Sequence, residues 1–119
     1  MTIRDGMVVR KRGKFKEDSK ASNHPVVVLL HDDKEVWGVI CTSADHISDY
    51  PNSIELDYTA CGLSKPTIAI CDKLSRFEIS RITKVEGELS DSDYIQVGEA
   101  ASKFNAVDNL FERRIRHGV

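Results

Sequence analysis

A chain of 119 residues is too short for two ordinary domains, so one domain and one core are expected over residues 1–119, and large modular enzymes are excluded. Hydrophobic residues make up 40% and charged residues 30%, with 7 Gly and 3 Pro, a balance that excludes disordered and collagen-like chains. Lys plus Arg total 17 against 19 Asp plus Glu, a formal charge of −2, so any nucleic-acid site must be a local patch.

No apolar stretch approaches the roughly 20 residues of a membrane helix, and Met1-Thr2-Ile3-Arg4-Asp5 opens no hydrophobic signal segment. A cytoplasmic protein without a membrane partner is the expectation. Cys41, Cys61 and Cys71 are odd in number and lack Cys-x-x-Cys spacing, which argues for buried reduced thiols and against a disulfide framework or structural zinc.

In chain order, Met7-Val8-Val9 opens a short strand, and the polar stretch from Lys11 to Asn23 reads as a long loop. Seven basic residues (Arg4, Arg10, Lys11, Arg12, Lys14, Lys16, Lys20) face three acidic ones between Arg4 and Lys20, a local net charge of +4. Such a segment attracts phosphate, and it also suits a merely solvated loop. The run from Pro25 to Leu30 is β-branched and apolar throughout, the pattern of a strand covered on both faces. After a turn at 31–34, Val36 to Cys41 completes a hairpin, with Thr42 and Ser43 at its end. Ser53 to Tyr58 alternates with period two, as a half-exposed strand does, and Thr67 to Cys71 reads as another buried strand.

After Gly87 the period changes. Ser90 with Asp93 approximates a capping box, and Tyr94, Val97, Ala101 and Phe104 recur at helical spacing, which predicts a helix from about Asp91 to Lys103. Val107, Leu110, Phe111 and Ile115 extend a helical stripe, and Arg113, Arg114 and Arg116 suit the negative end of a helix dipole. The expected class is mainly β (α+β): a strongly bent sheet or partly open barrel with one or two C-terminal helices packed on it.

No phosphate-cradling Gly-rich loop, G-x-S-x-G elbow or H-E-x-x-H is present. Metal ligation would have to come from His31, Asp32 and Asp33 or from Asp45, His46 and Asp49, which lie in turn-like segments where such residues serve conformation. The expectation is no metal and no cofactor.

The combination of Gly6, Asn23-His24-Pro25 leading a core strand, Thr42-Ser43 ending its neighbour, Gly62-Leu63-Ser64-Lys65-Pro66, Cys71-Asp72-Lys73-Leu74, a spaced Arg81 and Gly87-Glu88-Leu89-Ser90 resembles the MazF/PemK family of toxins of bacterial type II toxin–antitoxin systems. The resemblance spans roughly residues 5 to 104 and implies an SH3-like barrel with a C-terminal helix. It also implies a homodimer that inhibits growth by cutting single-stranded RNA without a metal, and a small acidic antitoxin as partner. Carried onto this chain, the family's main catalytic Arg before Pro-Val is replaced by His24, and the strand-end hydroxyl falls on Ser43 with Thr42 beside it. Where the family commonly reads C-D-Q-I-R-T, Lys73 replaces Gln and the Arg is displaced by one, to Arg76.

Metal-free RNA cleavage uses the 2′-hydroxyl as nucleophile, so the protein supplies a base, an acid for the leaving 5′ oxygen, and cations for the charge on phosphorus. An imidazole can both give and take a proton near neutrality, whereas a guanidinium stabilises charge but carries protons poorly. Either His24 is an acid/base and the charge role passes to Lys20, Arg76 or Arg81, or the site binds without cutting; His24 can also serve merely as packing at the start of its strand. The candidate catalytic set is His24, Ser43, Thr42, Arg76 and Arg81, with Lys14, Lys16, Lys20, Lys73, Asp72 and Glu78 as RNA contacts. A non-catalytic binder of nucleic acid or protein, such as a gyrase-poisoning toxin of the same fold, is the alternative. A peptide-binding SH3-like module would need a groove of exposed aromatics, for which three Tyr, four Phe and one Trp are a thin stock. Trp37, inside an apolar run, is expected in the core or a dimer contact.

Overall fold

The computed structural model of the chain describes residues 2–12 and 24–104. Strands β1 (Met7–Lys11), β2 (Val26–His31), β3 (Glu35–Ser43), β4 (Ser53–Glu55), β5 (Thr67–Glu78) and β6 (Ile82–Glu88) are followed by helix α1 (Asp91–Phe104). They form one antiparallel sheet in the order β4-β5-β3-β2-β1-β6, with β4 and β6 at its open edges. This is the mainly β, not fully closed architecture expected from the sequence.

The continuous apolar run of β2 has its physical reason in two cores. Side chains alternate across a strand, and Val27 and Leu29 join the core under α1, with Val8, Val39, Cys41, Cys71, Val97 and Ala101. Val26 and Val28 join the opposite core, with Ile3, Val9, Val36, Ile40, Phe77 and Ile82. Both faces of the strand are thus dry, so every position must be apolar.

Helix α1 is tied down through its first turn. The Ser90 hydroxyl accepts from the Asp93 N–H at 3.2 Å, as a capping residue should. The Asp93 carboxylate does not complete a reciprocal box; it accepts from the Asp57 N–H at 2.7 Å and anchors the turn after β4. Between Val28 and Leu30 the β2–β3 register shifts, and the Tyr94 hydroxyl donates to the Leu29 carbonyl at 2.8 Å, so a bulge acceptor under the helix is not left bare.

Two expected strands change their bounds and one strand is new. The strand expected over Ser53 to Tyr58 stops at Glu55, because the Asp57 carboxylate turns back onto the Thr59 hydroxyl and the Ala60 N–H, a local turn that competes with pairing. The strand expected to end at Cys71 runs on to Glu78. Opposite it Val39 pairs with Leu74 but Cys41 with Ala69, so Ile70 to Lys73 form a bulge that bends β5; before it, Ile68 and Ala69 pair with β3 on one side and β4 on the other. Strand β6 has no counterpart in the sequence reading: Ile82-Thr83-Lys84-Val85-Glu86-Gly87-Glu88 is an edge strand, whose polar residues conceal the period. Residues 13–23 of the expected basic loop and the helical stripe at 107–115 lie outside the described residues; Lys11 is the buried last residue of β1.

Cys41, Cys61 and Cys71 form no disulfide and are 0% exposed. Burial pushes the Cys71 thiol up to about 11, with Asp72 adding to it, and pushes Cys41 higher still, with Cys61 and Cys71 beside it. The thiolate is the reactive form. A disulfide reagent at neutral pH is therefore expected to titrate none of them in the native protein and all three after denaturation; rapid native labelling would contradict this packing.

Candidate active site

Two backbone bonds bring distant pieces of the chain to one end of the sheet. The Cys41 N–H donates to the Pro25 carbonyl at 2.8 Å, setting His24 and Pro25 beside Thr42 and Ser43 at the end of β3. The Ala44 N–H donates to the Pro66 carbonyl at 3.0 Å, placing the 3₁₀ helix Ala44–Asp49 against the segment before β5. There the Thr67 hydroxyl donates to the Lys65 carbonyl at 2.9 Å. The cleft among these pieces holds about 250 Å³, and its walls are His24 and Pro25, Thr42 and Ser43, His46 from the 3₁₀ helix, Leu63-Ser64-Lys65, Thr67, and Arg10 from β1.

The cleft is polar and basic. Thr42 is buried and Ser43 half-buried; the Ser43 hydroxyl is the 3₁₀ helix cap, accepting from the Asp45 N–H at 3.5 Å. The Arg10 Nε donates to the Glu86 carboxylate at 3.2 Å, which the Lys84 ammonium also approaches at 3.5 Å. His46 Nδ1 lies 3.5 Å from the Asp49 carboxylate. Past Arg10, Leu63 and Ser64 a second hollow of about 540 Å³ continues to Thr83, Lys84 and Glu86, so the shared residues join the two into one track. Among the described residues no three His, Cys, Asp or Glu side chains are grouped as metal ligands.

The wall carrying Ser64 and Lys65 is seated by two glycines. Gly62 has φ of +80°, and the Cys61 carbonyl rides on Gly87: a Cβ at Gly87 would lie 2.5 Å from it, and one at Gly62 would lie 2.2 Å from the Glu86 carbonyl. Val8 faces Gly87 and Val9 faces Val85, so Glu86 is an extra residue in β6, and the bulge turns its carbonyl and carboxylate toward this corner.

The sequence candidates separate. His24, Thr42 and Ser43 meet in the cleft. Arg76 and Arg81 do not line it: Arg76 pairs across the sheet with Trp37, six residues along β3 from Ser43, about 20 Å at strand rise. There its guanidinium grips the Glu35 carboxylate in two bonds of 2.8 and 2.7 Å and lies 5.5 Å over the half-buried Trp37 ring. Arg81 donates to the Arg12 carbonyl at 3.2 and 2.9 Å. Asp72, exposed, accepts from the Asn52 amide at 3.1 Å; Lys73 is half-buried on the same bulge; Glu78 accepts from the Ser80 hydroxyl at 3.3 Å, far from the cleft. Lys14, Lys16 and Lys20 lie outside the described residues. Arg10, Lys65 and His46, absent from the sequence-derived set, are the cleft's charged or titratable members besides His24 among the described residues; Arg10 was legible only as one basic residue among seven, Lys65 as part of the Gly62-to-Pro66 motif, and His46 as a turn residue or metal-ligand candidate.

The bond to Arg76 holds the Glu35 carboxyl below its ordinary value. A carboxylate depressed in the folded state stabilises above its unfolded value and loses that contribution as pH falls through the folded one. The Tm difference between wild type and Glu35→Gln is therefore expected to be small, since the pair is exposed, and to vanish between about pH 6 and about pH 2. A difference that grows on acidification would contradict this.

Neither a protein-family model nor a curated protein matches the sequence. Among solved structures, the chain is similar to the Mycobacterium tuberculosis toxin MazF-mt6, with a TM-score of 0.63 at 17% identity over 82% of this chain and 94% of that one. It is also similar to an endoribonuclease in complex with its cognate antitoxin from Mycobacterial species, with a TM-score of 0.59 at 13% identity over 84% and 89% of the two chains. A bent, open six-stranded sheet with a C-terminal helix across one face, shared with these proteins over nearly their whole length, gives this chain the MazF-like toxin fold.

Proposed function

We propose that this protein is the toxin of a type II toxin–antitoxin pair and cleaves single-stranded RNA by attack of the neighbouring 2′-hydroxyl, without a metal. The observation that carries the reading is the polar cleft in which His24, Ser43, Arg10 and Lys65 share one cavity at the end of a MazF-like sheet. His24 exchanges the proton, Ser43 donates to a phosphate oxygen, and Arg10 and Lys65 offset the charge that builds on phosphorus. The track past Ser64 to Thr83 and Lys84 takes the adjoining nucleotides, and Lys14, Lys16 and Lys20 add sequence-independent attraction.

Two partners follow from the same reading. A small acidic antitoxin covers the basic track and competes with RNA for it, and a second copy of the chain completes a homodimer. The setting is the cytoplasm; among the described residues no helix is long and apolar enough to cross a membrane.

The test is incubation of the pure protein with a mixed single-stranded RNA in chelator. New 2′,3′-cyclic phosphate ends support the nuclease. Intact RNA with salt-dependent affinity would instead support the non-catalytic binder, and intact RNA without affinity would leave neither.

A further inference from the structure

We infer that His46 is the second proton carrier of the reaction, donating to the leaving 5′ oxygen while His24 takes the proton of the 2′-hydroxyl; the inference rests on the nuclease reading above.

Transesterification moves two protons at opposite ends of one displacement. The 2′ oxygen bonds to phosphorus as its proton passes to a base, and the bond from phosphorus to the 5′ oxygen breaks as that oxygen receives a proton from an acid. The products are a 2′,3′-cyclic phosphate and a 5′-hydroxyl. In-line geometry puts attacking and leaving oxygens on opposite sides of phosphorus, so a single side chain cannot serve both in one step.

The cleft holds two imidazoles on separate supports. His24 comes from the segment that leads into β2 and His46 from the 3₁₀ helix, with the Thr42-Ser43 strand end lining the same cavity. His46 is not on a loose segment. Its helix is fastened to the Pro66 carbonyl through the Ala44 N–H and closed by the Tyr50 N–H on the Ile47 carbonyl at 3.2 Å. The Asp49 carboxylate lies 3.5 Å from Nδ1, within ion-pairing range of the protonated ring on that side, which leaves Nε2 for the proton transfer. Among the described residues the cleft's cations are Arg10 and Lys65, and Asp45 and Asp49 share the helix of His46. The two cations offset phosphate charge but do not exchange protons readily near neutrality, which leaves, among these, the second imidazole as the group suited to the task.

The test compares an RNA oligomer carrying ordinary linkages with one carrying a bridging 5′-phosphorothiolate, whose thiolate departs without protonation. His46→Ala is expected to lose about 10²-fold or more on the oxygen linkage and to return to near the wild-type rate on the sulfur linkage, whereas His24→Ala is slow on both. A His46→Ala protein that cuts the oxygen linkage at the wild-type rate, or is equally slow on both linkages, overturns the assignment. So does rescue of His24→Ala instead. Wild-type protein that leaves both RNAs intact overturns the nuclease reading itself, an outcome distinct from the others. His46 is exposed, and an unchanged melting curve of His46→Ala shows that the variant is folded.

Discussion

His24→Ala is expected to lower the rate of cleavage of a single-stranded RNA by about 10²–10⁴-fold, the contribution of one general acid or base, while leaving the melting temperature nearly unchanged. His24 is half-buried and precedes the first residue of β2, so its side chain is not needed to fill either core. The informative companion is His24→Arg, which restores the residue that the resembling family carries before Pro-Val. If His24 works by proton transfer, this variant keeps RNA affinity and loses turnover; if the position needs only positive charge, it cuts as well as wild type. Cleavage by His24→Ala within about twofold of wild type would remove the imidazole from the mechanism.

Gly62→Ala is expected to destabilise the protein by about 3 kcal/mol or more, a fall in Tm of roughly 10–20 °C for a domain of this size. Two causes add. At φ of +80° a side chain meets its own backbone, and the new Cβ would stand 2.2 Å from the Glu86 carbonyl, a neighbour fixed in β6. Gly62→Asn separates them, since Asn tolerates positive φ but carries the same Cβ. Equal damage from both substitutions assigns the effect to the contact with β6, and a well-tolerated Asn assigns it to the dihedral. Because Leu63, Ser64 and Lys65 leave this turn to form a wall of the cleft, any Gly62 variant that still folds is expected to bind RNA less tightly. Differential scanning calorimetry and a binding isotherm check the two effects.

The sequence by itself determined the elements whose local pattern has a physical cause along the chain: the dry strand from Val26, the hairpin through Val36 to Cys41, the Ser90-capped helix, and the buried thiols. It also determined that His24 and the Thr42-Ser43 pair sit at strand ends, because strand boundaries follow where apolar runs stop. What only the tertiary structure decided depends on register. A bulge of four residues in β5 carries Arg76 to the Trp37 end of the sheet, where Glu35 takes it, and no count of spacing reveals a bulge in advance. Pairing of β1 with an edge strand of unreadable period brings Arg10 to the cleft, and one bond from Ala44 to Pro66 sets the helix of His46 beside the segment of Lys65. Local chemistry names the residues able to act, but contacts between residues distant in the chain choose which of them meet, since side-chain direction across a sheet reverses with every one-residue shift.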